Sequence, residues 1–246
     1  MLITGACGYF GRELADAFAA EGAALTLLDL REPTAAQRDR LPPNTTFLQA
    51  DLSNLEGIAA LIAGLPEHAV PDVLVNNAGI FPFASVGEVD LALCRKIFDI
   101  NVLAPLELSR RLSERWQAAG GIAGVILNVS SAAAEVARGN GAAYGPSKAA
   151  LEQLTRILAV ELASRGIRVN AARAALADDP ERPHIPADHM ARLAAGMPLG
   201  RTIRDGEFAN VALFLCSDDA SFVTGQVLAC DGGGGLNRRP PAGTRT

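Results

Sequence analysis

Seven short apolar runs of strand length alternate with segments of helical period, and this rhythm constrains the fold more than any other feature of the chain. The runs are LIT (2–4), ALTLLDL (24–30), TFLQA (46–50), DVLVN (72–76), GVILNVS (124–130), IRVNA (167–171) and QVLAC (226–230). Between them apolar residues recur every three or four positions, as in Leu14, Ala17 and Phe18, or Leu151, Leu154, Ile157 and Leu158, which is the α-helical period. Parallel strands need crossover connections, and strands apolar on both faces need cover on both faces. The expected architecture is α/β: a doubly wound parallel sheet of seven strands flanked by helices on both faces, in a single domain over residues 1–235. The polar, proline-rich ADDPERPHIPAD at 177 to 188 reads as part of a mobile substrate lid over 177–200. The stretch from 236 to 246, without periodicity, reads as a disordered tail.

Composition narrows the function classes. With 246 residues, 49% of them hydrophobic, the chain can bury a full core, which excludes intrinsic disorder, collagen and a disulfide-stapled mini-protein. No apolar run approaches the roughly 18 to 20 residues of a membrane span, and MLITGACGYFGRE lacks the pattern of a secretory leader. The first strand begins at residue 2, which is short and points to a start codon a few residues late. The expectation is a soluble, cytoplasmic protein with no membrane partner. A net charge of -5 with no basic run longer than two residues gives no reason to expect nucleic acid, so the expected partner is a small molecule. Cys7, Cys94, Cys216 and Cys230 have no metal-ligand spacing and read as reduced, mostly buried thiols. His184, His189, Asp178, Asp179 and Asp188 lack regular ligand geometry, and no metal is expected.

TGACGYFG follows the first strand and opens the first helix, placing Gly5, Gly8 and Gly11 where backbone N–H groups and a helix N-terminus can meet a pyrophosphate. Such a turn also arises simply where the backbone needs positive φ. Asp29 ends the second strand 18 residues after Gly11, close to the offset of about 20 at which a carboxylate accepts from adenosine ribose hydroxyls. A carboxylate there repels a 2'-phosphate, favouring NAD over NADP, while Arg31 could pair with that phosphate. Cys7, beside a helix N-terminus, admits two readings: ordinary packing, or a redox thiol of lowered pKa.

Tyr144 and Lys148, in YGPSK, stand four apart at the start of a helical segment and share one helix face, with Pro146 tolerated in the first turn. A tyrosine of pKa about 10 needs about 2 to 3 units of preferential phenolate stabilisation to act near neutrality. A neighbouring ammonium and an oxidised nicotinamide can supply it. Ser131, thirteen residues before the tyrosine, sits at the carboxyl end of a strand, where ligands bind in open α/β sheets.

Together with NNAG at 76 to 79, Asn101 in FDIN and DGG at 231 to 233, these motifs resemble the short-chain dehydrogenase/reductase family, in its shorter branch, over about residues 1 to 235. The resemblance implies a Rossmann-like fold that holds NAD, with NADP less favoured, through Gly5, Cys7, Gly8, Tyr9, Phe10, Gly11, Asp29 and Leu30. It adds Asp51 and Leu52 at the adenine, and Asn77, Ala78 and Gly79 with Tyr144 and Lys148 nearer the nicotinamide. It implies a catalytic tetrad of Asn101, Ser131, Tyr144 and Lys148, Ser131 rather than Ser130 having the family's spacing to the tyrosine. Tyr144 then moves the proton, Lys148 lowers its pKa and binds the nicotinamide ribose, Ser131 orients the reacting oxygen, and the backbone of Asn101, in a locally bent helix, holds a relay water. The implied reaction interconverts a secondary alcohol and a ketone, with specificity set by loops around 133 to 140 and 176 to 200. The implied assembly is a homotetramer or homodimer; Leu112 and Trp116 read as packing or subunit contact.

Two departures qualify the resemblance. Tyr9 stands where the shorter branch has its second glycine, giving GxxGxxG, the spacing of the extended branch with its sugar-nucleotide epimerases and dehydratases. Ala174, Ala175 and Asp179 stand where the family has Pro, Gly and Thr, which position the nicotinamide carboxamide. Two alternatives therefore accompany the dehydrogenase reading: a dinucleotide-binding sensor or scaffold without turnover, and an epimerase or dehydratase that retains NAD.

Overall fold

A computed structural model describes residues 1–82, 84–137, 139–177, 179, 190–191 and 194–236. Most of the expected lid, the tail from 237, and His184, His189, Asp178 and Asp188 lie outside the described residues.

All seven expected strands are present: β1 (Leu2–Thr4), β2 (Leu25–Asp29), β3 (Thr45–Gln49), β4 (Val73–Asn76), β5 (Val125–Ser131), β6 (Arg168–Ala174) and β7 (Val227–Cys230). They form one sheet in the order β3-β2-β1-β4-β5-β6-β7, with every neighbouring pair parallel. The period of two sorts side chains between two cores. Ile3, Leu27, Val75 and Leu127 join one, with Leu14 and Phe18 of α1 (Tyr9–Ala20) and Phe208, Ala212 and Leu215 of α7 (Glu207–Cys216). Their chain neighbours Leu2, Leu28, Leu74 and Ile126 join the other. There they meet Ile58 and Ile62 of α3 (Leu55–Gly64), Leu108, Leu112 and Trp116 of α5 (Ala104–Ala118), and Leu158 and Leu162 of α6 (Tyr144–Leu162). The remaining α2 (Ala35–Arg38) is one turn, closed by a capping box between Thr34 and Gln37.

Leu112 and Trp116 are fully buried, which settles them as packing residues. The indole Nε1 donates to the carbonyl of Pro71 at 2.6 Å, and the ring fills the space beside Gly124, where an added Cβ would meet it at 2.5 Å. Between α4 (Leu91–Phe98) and α5, residues Asp99–Leu103 form a π turn that contains Asn101. Single π turns inside α-helices recur at functional sites. Among the described residues no helix is long and apolar enough to cross a membrane.

Candidate active site

The strand order reverses between β1 and β4, and the crevice outside the carboxyl ends of the strands at such a switch is where open α/β sheets bind ligands. Here it is a cleft of about 1960 Å³. Asp29, Leu30, Asp51 and Leu52 line its β2–β3 end, and Ser131, Tyr144 and Lys148 its β5–α6 end. Gly5, Gly8, Tyr9, Phe10, Gly11, Asn77, Ala78 and Gly79 line the stretch between them. Of the residues selected from sequence, Cys7 and Asn101 stand behind the lining.

The glycine turn is closed against the loop after β4. Gly5 has φ +65°, and a Cβ there would lie 2.8 Å from Cα of Ala78. One on Gly11 would lie 2.1 Å from the Gly5 carbonyl oxygen, so no other residue fits at either position. Asn77 donates its side-chain amide to the carbonyls of Thr4 (2.9 Å) and Gly5 (3.1 Å). The Thr4 hydroxyl accepts from the N–H groups of Asn77 and Ala78, both at 3.0 Å. Tyr9, the unusual residue of the turn, begins α1 and donates its hydroxyl to Asp205. Burial, and then that carboxylate, push the phenol well above its ordinary range.

Asp29 is buried at the end of β2, and its carboxylate accepts from the N–H of Cys7 (2.9 Å) and of Arg31 (3.0 Å). The Arg31 guanidinium lies 3.9 Å away with its side chain 72% exposed, a separation and exposure at which an ion pair contributes little. Burial and the Asp29 charge push the Cys7 thiol up to about 11. This direction is opposite to that of a redox thiol of lowered pKa and accords with Cys7 as a packing residue. Asp51 accepts from the N–H and hydroxyl of Ser53 (2.8 and 2.7 Å), which hold its carboxyl below the usual range.

At the other end, Tyr144 is the first residue of α6 and Lys148 stands one turn later. The Lys148 ammonium is buried, donates to the Val129 carbonyl at 2.8 Å, and lies 6.0 Å from the centroid of the Tyr144 ring. Burial lowers its pKa to about 8, against the raising influence of Glu152. The Phe81 ring stands edge-on to Tyr144, centroids 6.1 Å apart. Ser131 ends β5 and its hydroxyl oxygen caps the next turn, accepting from the N–H of Ala133 at 3.3 Å. Ser130 donates its hydroxyl to Glu152 at 2.7 Å. Asn101 holds Ile80 by both backbone groups (2.9 and 3.0 Å) and donates to Ser147 at 3.0 Å. Gly79 admits this arrangement, since a Cβ there would lie 3.2 Å from the Asn101 oxygen and 3.4 Å from the Lys148 nitrogen.

Where the family has its Pro-Gly pair, Ala174 ends β6 and the Ala175 N–H donates to the carbonyl of Cys230 of β7 at 3.1 Å. The β6–β7 ladder thus continues through these positions, and Ala174, Ala175 and Asp179 all line the cleft. Glu135 and Asp231 line it as well. Sequence reasoning missed Glu152 and Arg173, which are bonded to each other beneath Ser130. The available signal was Arg173 among the alanines that end β6 (Ala171, Ala172 and Ala174), since a cation that a strand carries toward the interior requires a partner.

Comparison with known proteins agrees with this geometry. The sequence model described as enoyl-(acyl carrier protein) reductase matches residues 5–234. The chain is 37% identical to cis-4-hydroxycyclohexanecarboxylate dehydrogenase of Sinomonas cyclohexanicum, with 94% of each chain covered. Among solved structures, it is similar to 4-hydroxyisoleucine dehydrogenase complexed with NADH, at TM-score 0.89 and 28% identity over 96% of this chain and 99% of that one. It is similar also to a structure described as an NAD(P)-dependent gluconate 5-dehydrogenase from Beutenbergia cavernae with bound NADP, at TM-score 0.86 and 34% identity over 95% of each. The chain belongs to the short-chain dehydrogenase/reductase family, oxidoreductases whose characterised relatives here act on hydroxyl groups.

Proposed function

We propose that the protein is an NAD-dependent oxidoreductase interconverting a secondary alcohol and a ketone, with Tyr144 as general acid and base. The observation that carries this reading is the buried Lys148 ammonium, fixed to Val129 and set beside the Tyr144 ring at one end of a cleft whose other end begins at Asp29. The lining suits a dinucleotide: Gly5, Gly8 and Gly11 at the start of α1 and the buried Asp29 carboxylate border one side of the cleft, in a turn that only glycine at 5 and 11 allows to close. A bound nicotinamide supplies the hydride acceptor or donor.

The protein's own groups would act as follows. Gly5, Gly8, Tyr9, Phe10 and Gly11 would bind the pyrophosphate at the start of α1, with Cys7 acting from behind by bonding Asp29. Asp29 keeps lone pairs for ribose hydroxyls after accepting two backbone N–H groups. Leu30, Asp51 and Leu52 would border the adenine, and Asn77, Ala78 and Gly79 the inner ribose. Ser131 would hold the reacting oxygen while Tyr144 takes or gives its proton. Lys148 would favour the phenolate, and its lowered pKa allows it to exchange a proton near neutrality. Asn101 would serve through the backbone of its π turn, where a relay water can be held. Exposed apolar residues on α6 (Ile157, Val160) and on α7, the loop after it and β7 (Phe214, Phe222, Leu228) support a reading of the protein as a homotetramer or homodimer.

The test is to titrate purified protein with NADH and NADPH by fluorescence, then screen neutral polyols, cyclic alcohols and hydroxy acids with NAD for reduced nicotinamide. Exchangeable binding with NADH preferred, followed by net NADH release, is expected. NADPH preference would overturn the cofactor assignment, and tightly retained cofactor without net release would favour the epimerase or dehydratase chemistry.

A further inference from the structure

Arg173 lies in β6 with its guanidinium engaged by two carboxylates. Its Nε donates to Oε1 of Glu152 at 2.6 Å and its Nη2 to Oε2 at 2.8 Å, while Nη1 reaches Glu135. Ser130, the cross-strand neighbour of Arg173, adds its hydroxyl to Oε1 of the same Glu152. Glu152 is buried, 4% exposed, and stands on α6 one turn beyond Lys148 and two beyond Tyr144.

A lysine and a glutamate four apart share one helix face and ordinarily attract each other, the more strongly where water is excluded. Here the carboxylate is bound by Arg173 and Ser130, and the ammonium is turned to Val129 and the Tyr144 ring. We propose that Arg173 is a positioning residue for the Tyr144–Lys148 pair: by holding and neutralising the Glu152 carboxylate, it keeps the Lys148 ammonium available to the Tyr144 phenol. The same clamp ties the β5 end carrying Ser131 to β6 where the Pro-Gly corner is missing. This rests on Tyr144 being the acid and base.

Among the described residues, the charged groups on the elements that flank the pair are Lys148 and Glu152 on α6, Arg173 on β6 and Glu135 after β5, with Asp179 after β6 and Asp231 after β7 in the lining of the same cleft. The β4 loop and the π turn contribute the uncharged Asn77 and Asn101. Eight residues of helix separate Tyr144 from Glu152, about 12 Å of rise. An uncompensated charge at that separation shifts ionisation by about one pH unit at an effective dielectric of about 20.

The chain has only two tyrosines, so subtracting the tyrosinate spectrum of Tyr144→Phe from that of each Tyr144-containing protein isolates Tyr144 without cofactor or substrate. In Arg173→Met the acid-side onset of tyrosinate absorbance is expected about one pH unit higher than in the wild type, about tenfold less tyrosinate at a given pH. Arg173→Lys is expected in between, and Arg173→Met combined with Glu152→Gln, which removes both charges, back near the wild type. An onset unchanged in Arg173→Met, or a double variant displaced as far as the single, overturns the proposal. If Arg173→Met does not fold, Glu152→Gln decides: its onset is expected below that of the wild type and restored in the double variant, and no displacement overturns the proposal. The functional reading fails separately, if Tyr144→Phe turns over an alcohol as fast as the wild type.

Discussion

The ammonium of Lys148 donates to the Val129 carbonyl at 2.8 Å, which fastens a helix-borne cation to the strand that ends in Ser131. Burial pushes this lysine down to about 8, while its unfolded value is about 10.4. Between those values the unfolded chain binds more protons, so the stability contribution of Lys148 rises with pH across that window and is least below pH 8. Denaturant titrations of the wild type and Lys148→Met should therefore show the wild type gaining stability relative to the variant between pH 8 and pH 10.4, by about 3 kcal/mol in total. A constant difference would mean that the lysine is not buried as described.

Asp29 accepts the N–H groups of Cys7 and Arg31 and is placed to accept from a ribose. Asp29→Ser should weaken NADH binding by about tenfold, the scale of one charged hydrogen bond, and should improve NADPH binding, because Arg31 then faces the phosphate without a competing carboxylate. Fluorescence titration of both nucleotides reads both changes. An unaltered preference would remove Asp29 from the cofactor assignment.

Gly11 is a steric requirement. A methyl group there would lie 2.1 Å from the Gly5 oxygen and 2.8 Å from Cα of Ala6, backbone that cannot move without opening the turn. Gly11→Ala should cost about 3 kcal/mol of stability and abolish measurable NADH binding, read by thermal unfolding and by titration.

Cys7, held at about 11 by burial and Asp29, carries roughly one thiolate in ten thousand at neutral pH. Iodoacetamide should leave Cys7 unmodified in the native protein at pH 7 while labelling it after unfolding, as peptide mass spectrometry would show. Rapid native labelling would restore the redox reading.

The strands were legible because each is a short apolar run whose alternate side chains enter two cores, as Ile3 and Leu2 do. The strand ends were less so. β6 runs on to Ala174, beyond the last residue of IRVNA, because it pairs in register with Ser130 and Ser131 of β5, a relation between distant segments. The site residues followed from ordered motifs, and the structure gathers Ser131, Tyr144 and Lys148 on one cleft wall. Cys7 and Asn101 are not themselves part of the lining: the Cys7 N–H is bonded to Asp29 and the Asn101 side chain to Ile80, two residues that do line the cleft. Arg173 and Glu152 escaped notice because neither belongs to a motif. Their bond depends on the packing of α6 on two strands, which no local spacing encodes.

The role of Tyr144 as acid and base is tested by the rate of alcohol-dependent NADH formation in wild type and Tyr144→Phe, measured beside NADH affinity for each. A loss of about a hundredfold to ten-thousandfold in kcat is expected, the scale of a general acid–base group, with NADH affinity changed by no more than a few-fold. A Tyr144→Phe protein that binds NADH and retains most of the wild-type rate would contradict that role.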